Sequence, residues 1–230
     1  MGIKKTIITS TCGVFGPSID GIVNENTIRE IDFFNDYESS KAMAESSIKK
    51  YVTKHNMNIV IVNPTRIYGP YLLGESASIT LMLEKYIKGN WKFIPGNGEQ
   101  IGNYVFIEDV INGHLKAMEK GQSGENYILG GYNHSYNEFF DVIKKKSGKN
   151  HKTYFTPLWV QMMYGRIQLF KAKFLNIKPT ITPKWIIRGN YNWKVSSDKA
   201  VSELGLSLTS LEDGITTTIK EIDLALVERL

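Results

Sequence analysis

Cysteine is nearly absent: Cys12 is the only one in 230 residues. An internal disulfide is excluded, and this usage fits a reducing cytoplasm. No apolar run is long enough to span a bilayer. Met1-Gly2-Ile3-Lys4-Lys5 is not followed by a signal-peptide core, because Thr9-Ser10-Thr11 interrupts it. The four histidines, His55, His114, His134 and His151, are scattered without ligand spacing, which predicts no metal site. Repeats and low-complexity segments are missing too. The net charge of +5 comes mainly from dispersed lysines, with one cluster at Lys144-Lys145-Lys146 and Lys149. Such a cluster favours a helix C-terminus. No stacking-aromatic and basic module accompanies it, so nucleic-acid binding is not expected. What remains is an ordinary globular composition, with length enough to bury a core in one or two domains.

Against that background one pair stands out. Tyr37 and Lys41 lie four residues apart, and no other tyrosine is followed by a lysine at that distance. On a helix, that spacing puts both side chains on one face, about one turn apart. An ammonium beside a phenol favours the phenolate, which makes the pair a proton-transfer device near neutral pH. The bland alternative is a surface helix with a solvated lysine.

The neighbouring segments bear on that choice. Thr6 to Thr9 reads as a short buried strand that runs into a hydroxyl cluster, Thr9-Ser10-Thr11, and a glycine-punctuated turn. The hydroxyls can reach a ligand at the strand end, or merely satisfy turn backbone. Ile59-Val60-Ile61-Val62 is a second apolar strand, ending in the Pro/Gly-rich loop Asn63-Pro64-Thr65-Arg66-Ile67-Tyr68-Gly69-Pro70. The helix carrying Tyr37 and Lys41, roughly Asp36 to His55, lies between them. The result is a strand–helix–strand unit with its polar groups at the strand ends.

Four segments in order carry a family likeness. They are Thr9-Ser10-Thr11-Cys12-Gly13-Val14-Phe15-Gly16; Tyr37 with Lys41; Asn63 to Pro70; and Phe93-Ile94-Pro95-Gly96-Asn97-Gly98 followed by Asn103-Tyr104-Val105-Phe106-Ile107-Glu108-Asp109-Val110. Gly124 to Gly131 and Ser197 to Gly205 extend it toward the C-terminus. Together they resemble the extended short-chain dehydrogenase/reductases, the NAD-dependent epimerase/dehydratase group. The resemblance implies an α/β fold, a partial Rossmann doubly wound parallel sheet with a smaller, mostly helical substrate domain. Residues 1–72 would be the C-terminal part of the cofactor domain with the catalytic helix. Residues 73–230 would be mainly substrate-binding, with 104–131 returning to the sheet.

It also implies roles. Tyr37 would be the general acid/base, and Lys41 would hold the nicotinamide ribose and favour the Tyr37 phenolate. Thr11, four residues before Phe15, would hydrogen-bond the substrate oxygen. Thr9 and Ser10 would lie against the cofactor, with Pro64 and Ile67 near the nicotinamide. Asn63 would face cofactor or substrate, and Cys12 and Asn103 would line the substrate side. Cys12 itself reads as packing rather than as a nucleophile, since no base lies near it in sequence. The cofactor would be NAD or NADP. The family's opening strand and Gly-x-x-Gly-x-x-Gly phosphate turn do not occur in these residues. Gly96-Asn97-Gly98 is no substitute, because it is not placed between a first strand and a helix. The chain would begin at the family's fifth strand, with an exposed sheet edge and apolar face. That predicts a homo-oligomer or a complementing N-terminal polypeptide.

For substrate, nucleotide-sugar members place an arginine where this chain has Gly102 and Asn103. Losing a bidentate cation there weakens diphosphate binding. The pattern is closer to dihydroflavonol-reductase-like members, which act on ketones and secondary alcohols. A nucleotide-sugar epimerase/dehydratase stands second, and a non-catalytic remnant or binding module third.

Further expected elements are a helix over 76 to 89, a strand over Tyr104 to Ile107 and a helix over Glu108 to Lys120. A strand over Asn126 to Leu129 should rejoin the main sheet. Ser135 with Glu138 predicts a capping box for a helix to Ser147-Gly148. Ser210 should cap a last helix ending near Leu230. Pro157, Pro179 and Pro183 divide an apolar, aromatic and basic stretch, Thr156 to Trp193, into short pieces expected to form a lid or core. The other reading of that stretch is an amphipathic surface for a partner or membrane.

Overall fold

The computed structural model describes residues 2–70 and 77–227, with side chains to residue 222. The chain begins with β1 (Thr6–Thr9), α1 (Asp36–His55), β2 (Ile59–Pro64), β3 (Arg66–Tyr68) and α2 (Ser78–Ile87). It continues through β4 (Phe93–Pro95), β5 (Ile101–Phe106), α3 (Ile107–Lys120), β6 (Asn126–Leu129) and β7 (Tyr132–Ser135). Then come α4 (Tyr136–Ser147), β8 (Tyr154–Thr156), α5 (Leu158–Leu175), α6 (Pro183–Gly189) and α7 (Leu211–Val227).

The main sheet is parallel, in the order β1-β2-β6. β2 is its central strand and is buried throughout, which is why Ile59 to Val62 is an unbroken apolar run. β6 returns to this sheet as expected. β1 forms one edge, and its exposure rises toward Thr9. α3 packs its Val110 and Ala117 under Val60, Val62, Tyr127 and Leu129. On its outer side Ile111, Leu115 and Met118 stay exposed at helical spacing.

A second sheet, β3-β5-β7, pairs β3 with β5 in parallel and β5 with β7 antiparallel. The expected strand at Tyr104 starts earlier, at Ile101, because β7 pairs with residues 101 to 104. Ile107 belongs to α3 rather than to that strand. The close passage of β7 by β5 requires glycine at 131, since an added Cβ would strike the Tyr104 carbonyl. The largest apolar cluster lies between α2, α4 and α7, around Leu83, Tyr86, Phe139 and Phe140.

Local signals place the helix ends. Asn35 accepts a hydrogen bond from the Glu38 N–H at 3.0 Å and starts α1. Ser135 and Glu138 form the expected capping box, and Gly148 closes α4 in the left-handed conformation at φ 66°. Replacing Ser135 by alanine should cost about 1 kcal/mol in urea unfolding; no change would mean that α4 does not depend on its cap. Ser210 accepts from the Asp213 N–H at 3.1 Å and caps α7. Residue 76, the expected start of α2, and residues 228–230, at the expected end of α7, lie outside the described residues.

The stretch after Thr156 differs from expectation. Pro157 stands just before α5, Pro179 lies in the segment that follows it, and Pro183 opens the first turn of α6. Between them α5 runs unbroken for 18 residues. It is not core, for only Gly165 and Gln168 of this helix are buried.

Candidate active site

The end of β1 and the start of α1 meet through one bond. Lys41 Nζ donates to the Thr9 carbonyl at 2.9 Å. The same Nζ lies 5.9 Å from the centre of the Tyr37 ring. The first turn of α1 is thereby fixed beside the hydroxyl-rich strand end. Tyr37 is 48% exposed, and no described residue occupies its hydroxyl. Thr11 Oγ1 accepts from the Gly13 N–H at 3.2 Å and caps the 3-10 turn Cys12–Phe15. As an acceptor there, it keeps its own proton for another partner.

Thr9 turns its side chain the other way, toward α3. Its Oγ1 is 2.9 Å from His114 Nε2, while His114 Nδ1 is 2.7 Å from the Val110 carbonyl. Nδ1–H goes to the carbonyl, so Nε2 accepts from the Thr9 hydroxyl. The contribution of Thr9 to the site is therefore its carbonyl. Ser10 is buried and its hydroxyl has no partner among the described residues.

Beneath this surface lie two polar networks. Asn63, fully buried, donates through Nδ2 to the Thr11 carbonyl at 3.1 Å and to Glu45 Oε1 at 2.7 Å. Asn126 Nδ2 donates to Glu45 Oε2 and Asn63 Oδ1, both at 2.9 Å. The Asn63 side chain thus braces the strand end from below instead of facing an open site. The second network centres on Glu38. Its carboxylate accepts from Arg29 Nη2 at 3.0 Å and from Arg188 Nε at 2.6 Å. Arg29 also donates to the Gly13 carbonyl, which ties the 3-10 turn to α1.

The remaining expected residues are not all at the surface of the site. Cys12 packs with Phe15, Val23, Ile128 and Val195. Burial pushes its thiol up to about 12, with Arg188 opposing. A raised value means that burial favours the thiol; that stability is present below the ordinary thiol range and is lost as pH rises toward 12. Iodoacetamide should label Cys12 at pH 8 about 10³-fold more slowly in the native protein than in urea. Equal rates would contradict this packing. Pro64 is buried at the end of β2, and Ile67 packs on the cluster under the main sheet. Asn103 is buried and its amide is fully engaged. Oδ1 accepts from Thr65 Oγ1 and the Gly131 N–H, both at 2.8 Å, and Nδ2 donates to the Gly131 carbonyl and Asn133 Oδ1. It joins β5 to the loop after β6, a different task from the substrate contact expected of it.

Glu38, Arg29, Arg188, Glu45 and Arg66 were not singled out from the sequence. Glu38 lies in the first turn of α1, and its partners lie 9 and 150 residues away. Arg66 reaches over Gly102, where an added Cβ would strike its guanidinium. There its Nη1 donates to the hydroxyls of Tyr104 and Tyr136 at 3.5 and 3.4 Å, with the guanidinium 5.7 and 5.6 Å from the ring centres. A cation is therefore present in space beside position 102. Only the small residue at 102 hinted at it.

A model of the NAD dependent epimerase/dehydratase family matches residues 1–130, more than half of the chain. The chain belongs to that family. It is 28% identical over 225 residues to dTDP-D-glucose 4,6-dehydratase of Mus musculus, covering 87% of this chain and 60% of the relative. It is 24% identical over 224 residues to a putative dihydroflavonol 4-reductase of Synechocystis, covering 95% and 64%. The crystal structure of Thermotoga maritima UDP-glucose 4-epimerase with UDP-glucose superposes with a TM-score of 0.77 at 23% identity, covering 98% of this chain and 65% of that one, and so shows the same fold. The chain thus spans under two thirds of the length of these relatives.

The family is NAD-dependent, and the residues where β1 meets α1 suit such a group. Lys41 has three donors, and among the described residues one hydrogen bond, to Thr9, uses them. The buried hydroxyl of Ser10, the residue after Thr9, has no hydrogen-bond partner among the described residues. A glycine-rich turn for the pyrophosphate is not found in these 230 residues.

Proposed function

We propose that this chain carries the acid/base centre and the nicotinamide-ribose contacts of an NAD(P)-dependent oxidoreductase acting on a ketone or secondary alcohol. The observation that supports it most is the Lys41 ammonium, held on the Thr9 carbonyl one helical turn from an unoccupied Tyr37 hydroxyl. The nicotinamide ring, when bound, supplies hydride transfer. Tyr37 exchanges the proton with the substrate oxygen. Lys41 gives its remaining N–H groups to the ribose. Thr11, already an acceptor from Gly13, donates its own proton to the substrate oxygen and orients it. Asn63, Glu45 and the Glu38 triad hold these groups without touching substrate.

Gly102 and Asn103, where nucleotide-sugar members place an arginine, favour a substrate without a diphosphate. Arg66 over Gly102 favours the second reading, a nucleotide-sugar epimerase or dehydratase, since a guanidinium is the group that grips a diphosphate. The β1 edge and the exposed stripe of α3 support a covering partner, either a second copy or a polypeptide bearing the glycine-rich half. A cytoplasmic setting agrees with the single buried thiol.

Incubation with NADH or NADPH and a panel of apolar ketones should consume cofactor stoichiometrically. The second reading instead expects UDP- or dTDP-glucose to be converted without net cofactor consumption. Lys41→Ala and Thr11→Ala should each lower turnover at least about 10²-fold. Turnover unaffected by both would remove this centre from the chemistry.

A further inference from the structure

We infer that α5 lays its outward face on an anionic lipid surface. The helix is amphipathic in the reverse sense to an ordinary surface helix. Its inner face carries Gln161, Gly165, Gln168 and Ala172. Gly165 lets it approach Ile186 and Pro183 of α6 closely. Gln161 donates to the Thr156 carbonyl at 2.7 Å and accepts from Asn190 at 3.1 Å. Its outer face carries Trp159, Met163, Ile167, Phe170 and Phe174, spaced as one stripe. Trp159, Phe170 and Phe174 are 68, 61 and 62% exposed. Water does not sustain a contiguous aromatic stripe of this kind uncovered.

The charges decide what covers it. α5 itself carries Arg166, Lys171 and Lys173 and no aspartate or glutamate. At 100° per residue, Arg166 and Lys173 border the stripe on one side and Lys171 on the other. Lys173 Nζ lies 5.5 Å from the Phe174 ring centre, so cation and aromatic share one rim. A second copy would bring the same cations onto this face and be repelled. An anionic bilayer brings phosphates to the rim and hydrocarbon to the stripe, the pairing that binds interfacial helices. No described helix is long and apolar enough to cross a membrane, so this contact lies in the surface plane. The inference does not depend on the proposed reaction.

Flotation of the whole chain with vesicles of phosphatidylcholine, alone or with 30% phosphatidylglycerol, tests it at about 0.1 M salt. At least ten-fold stronger partition onto the anionic vesicles is expected. The triple variant Trp159→Ser/Phe170→Ser/Phe174→Ser should lose that gain while unfolding at the same urea concentration. Brominated lipid should quench wild-type tryptophan emission, and Trp159→Phe should remove most of that quenching. Equal partition onto both vesicle types would overturn the inference. So would a triple variant that binds like wild type, or quenching indifferent to Trp159, either of which marks adsorption by net charge alone. A wild-type dimer dissociated by the triple variant, without vesicle binding, would assign the face to a second copy and overturn it as well.

Discussion

Replacing Tyr37 by phenylalanine should lower turnover by about 10² to 10⁴-fold and leave the fold intact. The two halves of this expectation have separate grounds. Tyr37 lies in the first turn of α1 with its hydroxyl unoccupied and nearly half its surface exposed, so the missing oxygen costs no internal bond. The ring, and with it the Lys41 contact, is kept. In the proposed role, what disappears is the proton exchanged with the substrate oxygen. The check is kcat for whichever substrate gives turnover, set beside the urea midpoint of the same variant. Unchanged kcat would remove Tyr37 from the chemistry. A fall in both would make it a structural residue.

Glu38→Gln has the largest expected effect on stability, about 3 to 5 kcal/mol in urea unfolding. The Glu38 side chain is 1% exposed, and those of Arg29 and Arg188 are 7 and 17%. Burial already pushes the Arg188 guanidinium down from its ordinary range, with Arg66 adding to the effect and Glu38 opposing it. Removing the only carboxylate that joins the two guanidiniums leaves buried cations facing a neutral amide. Because Glu38 follows Tyr37 and its partner Arg29 also holds the Gly13 carbonyl, the loss should reach the site and lower kcat as well. A midpoint corresponding to less than about 1 kcal/mol would mean that the triad is compensated by solvent.

What the sequence made legible was local. The apolar run at Ile59 to Val62, the capping box at Ser135 and Glu138, and the four-residue step from Tyr37 to Lys41 each depend on near neighbours. Each was found in place. What stayed hidden was set by long-range pairing. β3 is three residues between Pro64 and Gly69, too short to show alternation, and it exists because β5 pairs with it. Asn103 looks like a polar residue at a strand end, and only the loop after β6 gives its amide partners. Arg66 fills the space over Gly102, a relation between residues 36 positions apart. For α5 the error was different in kind. Proline was read as a breaker of the stretch, whereas the interval from Pro157 to Pro179 holds a full helix whose apolar residues face outward.

The central claim is that Lys41, held on Thr9, meets the nicotinamide ribose. Titration with NADH and NADPH, followed by nicotinamide fluorescence in the wild-type chain and in Lys41→Ala, tests it most directly. The expected result is a saturable change in wild type that Lys41→Ala moves to at least ten-fold higher cofactor concentration, with unchanged circular dichroism. Superimposable titrations, or none that saturates by millimolar cofactor in wild type, would contradict it.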